Sequence, residues 1–308
     1  FDFDITGLSP LGNALAVHTD EGIHVLTPTG NATVPYQVQR RAPSGTVSGR
    51  GIVNLPSGLQ LFPRLDGIYA WDGGSQVSKI SQALDGPRFW DSINKAKLSL
   101  VHGLYYPTAN EVWFHIPYGA SQATNNYAIV YNTVLNCWFG PYTNFSRDAS
   151  ALIDDVPHSG GFNGYVYTHD TNNNDDSSSI SASFSTGSPA PMGADVRLRW
   201  LYARHFFDTQ SSSYDVQVKQ VSHKISGVMQ TINMGEAAAA LGSFSIGTSL
   251  LGGESQALYG DTDLTGYDNS TQLVYANNAS DEPFTFRRVN LQYKPLGRLR
   301  RRKIVGVE

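Results

Sequence analysis

Three apolar segments return at nearly constant spacing. GIHVL begins at Gly22, GIYAW follows at Gly67, 45 residues on, and EVWFHIPYG starts at Glu111, a further 44. Each has a preceding stretch that reads as its hairpin partner: ALAV at 14–17, LQLF at 59–62 and KLSLV at 97–101. Two closer strand pairs follow, YAIVYN with NCWFG across 127–140 and SALIDD with GYVYTHD across 150–170. Short alternating strands with a turn in every such period are what a four-stranded propeller blade requires, because one blade cannot bury both of its faces. Trp71, Trp90, Trp113, Trp138 and Tyr69 are expected to pack between blades. Three to four blades fit before residue 170, so the ring is expected to be incomplete at its N-terminal end. A plain antiparallel sandwich is the alternative.

The stretch THDTNNNDDSSS, 168–179, has no apolar side chain and cannot offset its ordering entropy by burial. It divides the chain into a propeller over 1–168, a polar linker over 169–179 and a second domain over 180–308. In the latter, ISASF, VRLRWLYARHFF, YDVQVKQV, LGSFSIG, TQLVYA and FTFRRVNLQY read as strands separated by Gly, Ser and Asp turns, which predicts a β-sandwich. In the last of these the apolar phase slips by one residue, predicting a β-bulge near Arg287 and Arg288. The expected fold is all-β, with 30 Gly and 15 Pro in 308 residues and only 16% charged residues arguing against a helical bundle.

Cys137 stands alone, so an internal disulfide or multi-Cys metal site is excluded and a reducing cytoplasm suits assembly. No window approaches the ~18 apolar residues of a membrane span. The chain opens FDFDITGLSP, without an initiating Met or a signal-peptide pattern, which fits an internal start in a longer chain.

Motifs for nucleotide or acyl chemistry are missing: no GxSxG, GxGxxG or GxxxxGK[ST] occurs. The eight histidines form neither HxxxH nor HxH and read as structural. Asp170, Asn172 and Asn174 imitate the start of a calcium loop, but Asp175 replaces the required Gly and Ser181 the bidentate Glu. Asp154 and Asp155 could form a glycosidase pair, although solvated turn acids explain them as well. The aromatic set could stack on sugars, or fill the core. The sequence therefore predicts no enzyme, no metal and no cofactor.

Charge is unevenly placed. Residues 287–308 carry eight Lys or Arg against Glu308, a net +7, leaving −11 for the rest. Within GRLRRRK, Arg298, Arg300, Arg301, Arg302 and Lys303 are the candidate partner or nucleic-acid interface; a solvated tail is the alternative.

The succession of GIHVLTPTG, GIYAWDGG with VSKIS, YAIVYNTVLNCWFG, ISASFSTG, LGSFSIGTSLLGG and FTFRRVNLQYKPLGRLRRRK resembles tailed-bacteriophage virion proteins of the tail nozzle or tail-stabilisation type. That resemblance implies a homo-oligomeric ring of six copies in the phage tail, below the head-to-tail connector and adaptor. The genomic DNA would pass through its axis without sequence-specific contacts. An acidic lumen would let DNA slide without sticking. The competing reading is a carbohydrate-binding or depolymerising propeller of the adhesin kind.

Overall fold

The computed structural model describes residues 4–86, 89–143, 146–171, 174–175, 178–208, 215–233, 258–279 and 282–298. The chain is all-β and divides into two compact units that meet between Thr171 and Asn172. The expected linker over 169–179 straddles this junction and contains a small hairpin of β16 (Asn174–Asp175) and β17 (Ser178–Ser179). No helix among the described residues is long and apolar enough to cross a membrane.

Unit 1 is a run of four antiparallel meanders. Blade 1 holds β1 (Ile5–Leu11), β2 (Ala14–Thr19), β3 (Ile23–Pro28) and β4 (Tyr36–Ala42), hydrogen-bonded in that order. Blade 2 holds β5 (Val53–Asn54), β6 (Gln60–Arg64), β7 (Gly67–Trp71) and β8 (Ser78–Lys79). Blade 3 comprises β9 (His102–Tyr106), β10 (Glu111–Ile116), β11 (Tyr127–Asn132) and β12 (Cys137–Tyr142). Blade 4 comprises β13 (Arg147–Ile153), β14 (Val156–Gly161) and β15 (Val166–Thr168). This is the construction of consecutive propeller blades.

Alternation decides which side chains meet. Ala16, Ile23, Val25 and Ala42 of blade 1 pack against Phe62 and Trp71 of blade 2. Leu61, Ile68 and Ala70, on the other face of blade 2, pack against Val112, Phe114, Ile116 and Ile129 of blade 3. Each large buried side chain contributes roughly 1.5–3 kcal/mol of transfer free energy. Trp71 and Trp90 are buried, whereas Trp113, Trp138 and Tyr69 are half-buried.

The strand readings need three corrections. KLSLV is a 3-10 helix over Lys95–Leu100, not a strand: the Asn94 side chain caps it by accepting from the Ala96 amide, and Leu98 is buried beneath it. The partner of EVWFHI is instead β9, with His102 opposite His115. YAIVYN and NCWFG belong to the same blade as EVWFHI, as its third and fourth strands. Between SALIDD and GYVYTHD lies a further strand, β14, reached through a two-residue turn in which Asp154 and Asp155 both have positive φ, 50° and 61°. Those two acids therefore shape a hairpin.

Unit 2 is a two-sheet sandwich. One sheet runs β18 (Ala182–Ser185), β24 (Gln272–Asn277), β20 (Asp215–Val221), β21 (Ser226–Asn233). In the other, the 12-residue β19 (Val196–Phe207) pairs with β22 (Leu258–Asp263) and β23 (Tyr267–Asp268) on one side and with β25 (Phe286–Arg298) on the other. Leu198, Trp200, Ala203 and Phe207 meet Val216, Val218, Leu273 and Tyr275 between the sheets. The bulge occurs where the phase slip placed it: Phe207 pairs with Phe286 and Phe206 with Arg288, leaving Arg287 as the extra residue, turned to an ion pair with Asp208. LGSFSIG lies outside the described residues.

Candidate functional site

The basic run is reached only at its first member. Arg298 ends β25 opposite Val196; Arg300, Arg301, Arg302 and Lys303 lie outside the described residues. Of the calcium-like residues, Asn172 also lies outside them, and the Asp170 carboxylate accepts the Tyr106 hydroxyl at 2.8 Å.

Histidines instead concentrate in the seam between blades 3 and 4. His102 and His115 stack across β9 and β10 with centroids 4.4 Å apart. The amide nitrogen of Asn125 donates to the Leu100 carbonyl at 2.8 Å, so it also donates to His102 Nδ1 at 3.2 Å. His102 therefore carries its proton on Nε2 and donates it to Ser150 Oγ at 3.1 Å, which leaves the Ser150 hydroxyl to donate to His115 Nε2 at 3.2 Å. Beside this chain Ser159 bonds His169, and the Arg147 guanidinium lies 3.6 Å from the Tyr167 ring centroid. Burial holds His102 down at about 4, helped by the Arg50 charge, and holds His115 well below its ordinary value, helped by His102. Both rings are neutral at pH 7. A serine hydroxyl on a neutral imidazole is half of a nucleophile–base arrangement, yet His115 is wholly buried. Here Ser150 ties β13 to both β9 and β10.

A similar lock joins blades 1 and 2. Gln60 donates to the Pro10 carbonyl at 3.0 Å and to Ser9 Oγ at 3.0 Å, and its carbonyl oxygen accepts from His18 Nε2 at 3.2 Å. Burial lowers His18 to about 4 against the opposing pull of Gln60. None of these polar seams was read from the sequence. The hairpin register could have exposed one of them, because a turn at 107–110 places residue 102 opposite 115.

The outermost faces of the blade run are different in kind. On blade 1, Pro10, Leu15, Leu26 and Val38 form one cross-strand row over all four strands, with Leu8 and Tyr36 beside it. Leu8, Tyr36 and Val38 are 59%, 60% and 53% exposed. On blade 4, Ala149, Ala151, Ile153 and Val166 line the face turned away from blade 3, and Val166 is 71% exposed. Apolar faces of this kind are the ones a propeller covers with a neighbouring blade. A shallow cavity of about 360 Å³ lies along Leu59, Ala70, Asp72, Gln76 and Val77, with one carboxylate in its lining.

No family model matches the chain, and no curated protein does. Among solved structures it is similar to the computationally designed Ika4 protein, at TM-score 0.36 and 13% identity over 55% of this chain and 91% of that one. It is also similar to an exo-β-1,3-galactanase from Phanerochaete chrysosporium, at TM-score 0.30 and 9% identity over 91% of this chain and 77% of that one. A glycoside hydrolase family 43 arabinoxylan arabinofuranohydrolase from Bacillus subtilis follows, at TM-score 0.27 and 10% identity over 91% and 75%. These likenesses correct the expectation of a chain without enzymatic activity: glycoside hydrolases stand among the structures it resembles, so the missing sequence motifs do not exclude turnover.

Proposed function

We propose that the chain is a subunit of a tailed-phage tail nozzle, working through contacts between copies that close into a ring around the path of the genome. The observation that supports this reading is the pair of exposed apolar faces at the two ends of the blade run. They are unlike each other, leucine- and tyrosine-rich on blade 1 and flat with alanine on blade 4. A contact between unlike faces is heterologous and closes into a ring when its rotation suits. The charge polarity of the sequence fits the same picture, with the basic run of one copy meeting the acidic remainder of the next. Partners at the ring's ends would be the adaptor and other tail proteins.

Native mass spectrometry and particle imaging of the full chain test the proposal. A ring with a central hole is expected, weakened by L15K/V38K and, with reduced salt sensitivity, by serine at Arg298, Arg300, Arg301, Arg302 and Lys303. A monomer at every concentration tried would refute it. The rival reading, a carbohydrate-binding or depolymerising propeller, is tested on the same preparation with β-1,3-galactan and arabinoxylan. Sugar release lost on mutating a single acid would replace the assembly reading.

A further inference from the structure

The outward face of the β25-β19-β22/β23 sheet has an unusual composition for a solvated sandwich surface. The register sets out four cross-strand rows: Lys294, Arg199, Tyr267; Gln292, Tyr202, Asp263; Asn290, Arg204, Asp261; and Arg288, Phe206, Tyr259. Their inward neighbours Leu198, Trp200, Ala203, His205 and Phe207 are all buried, so the alternation turns these rows to solvent. With Arg197 at the end of β19, the face carries five cations against two carboxylates. Interleaved with them are four aromatic rings, of which Tyr259 is 64% exposed.

The rings and cations are organised together. Guanidinium carbons sit 5.4 Å from the Tyr267 centroid (Arg197), 4.9 Å from that of Tyr259 (Arg204) and 4.2 Å from that of Phe206 (Arg288). Arg204 is also held by two 2.8 Å bonds to Asp261, whose carboxyl lies below its usual range chiefly because of that bond. The rows span about 20 Å along β19. From Arg298 the sequence continues directly into Leu299, Arg300, Arg301, Arg302 and Lys303, so the face and the basic run are consecutive in the chain.

From this we propose that the outer face of the unit 2 sheet binds single-stranded nucleic acid, with Arg197, Arg199, Arg288 and Lys294 against phosphates and Tyr202, Tyr259 and Tyr267 as platforms for unpaired bases. Cations along a track with aromatic rings beside them are what sequence-tolerant single-strand binding needs, since every base has a face to stack and every nucleotide a charge. A duplex would leave the tyrosines idle, because its bases are already stacked. A monomer carries the whole face, so binding needs no ring assembly.

The test is fluorescence anisotropy of a labelled 20-residue oligothymidylate with the full chain, from 50 to 200 mM NaCl. Neutralising about four phosphates on a single strand gives a log–log salt slope near −3, so affinity should fall about 50-fold over that range. R199S/K294S should flatten the slope by about 1.4. Y202A/Y259A/Y267A should weaken binding at least about tenfold at fixed salt, and Y202F/Y259F/Y267F should restore it. Serine at Arg298, Arg300, Arg301, Arg302 and Lys303 should lower affinity while leaving the tyrosine dependence in place. No binding at 50 mM NaCl would overturn the proposal. So would binding that the basic-run variant abolishes while the alanine set, folded by circular dichroism, leaves it unchanged. Tighter, tyrosine-dependent binding of polygalacturonate than of the oligonucleotide would assign the face to an anionic glycan instead. Should the alanine set fail to fold, the salt slope of R199S/K294S decides.

Discussion

Acid should weaken unit 1 well before its carboxylates protonate. His18 and His102 are ordinary imidazoles in the unfolded chain, titrating near 6.5, but burial holds both at about 4 in the folded one. The folded-state value lies below the unfolded one, so between pH 6.5 and 4 the unfolded chain binds more protons and stability falls as pH falls through that window. Each of the two then costs about 2 kcal/mol between pH 7 and pH 5, and about 3 kcal/mol once pH 4 is passed. Together they remove about 4 kcal/mol by pH 5, a large share of the 5–15 kcal/mol typical of a domain. His115, shifted the same way, adds to this. The assay is urea unfolding at pH 7 and pH 5 followed by tryptophan emission, with W200F removing the indole of unit 2 so that Trp71, Trp90, Trp113 and Trp138 report unit 1 alone. H18Q/H102Q should be less stable at pH 7 yet lose about 4 kcal/mol less on acidification. Equal unit 1 stability at the two pH values, or a double variant with the full pH loss, would refute the reasoning.

Gly45→Ala should cost about 3 kcal/mol or more, because a Cβ there would lie 2.0 Å from the Thr19 carbonyl oxygen where the chain passes from blade 1 to blade 2; an unchanged melting temperature would show that the backbone yields. Phe62→Ala should cost about 3–5 kcal/mol in unit 1, with the unit 2 transition unmoved in the same denaturation curve. Ser150→Ala should cost about 1–3 kcal/mol by stripping both imidazoles of the seam of their shared partner, and a change below the error of the urea midpoint would argue that the rings re-pair. Limited proteolysis should cut first within residues 169–179 and leave two folded fragments, as mass spectrometry of the products would show.

What could be read in advance was whatever local alternation controls. GIHVL became β3, alternating buried and less buried positions, and GIYAW became β7, an apolar run buried at every position but Tyr69. VPHSGG escaped notice as β14: Pro157, Gly160 and Gly161 erase its β-propensity, although its backbone is paired on both sides. LSL in KLSLV looked like a strand until Asn94 capped it into a 3-10 turn, where burial of Leu98 is one-sided. The polar seam depends on Ser150 meeting His102, 48 positions away, and no local pattern reports such a meeting. The basic and aromatic sheet face was half visible, since VRLRWLYARHFF sorts its arginines from its core residues, but which strands flank it rests on a register shifted three times along β25.

The pairing of β19 with β25 also bears on how the chain is made. Blades 1 to 4 join strands that follow one another in sequence, so each can close while synthesis is still under way. The β19 sheet of unit 2 joins Val196 to Arg298 and Phe207 to Phe286, so one whole edge of its central strand stays unpaired until β25 exists. During that interval the backbone groups of Val196–Phe207 that β25 will pair form an open strand edge, although Leu198, Trp200 and Phe207 already have the facing sheet to pack against. A ribosome that pauses before residue 286 therefore holds a finished unit 1 and a unit 2 whose longest pairing edge is still open, the stage at which a trigger-type chaperone would have most to protect.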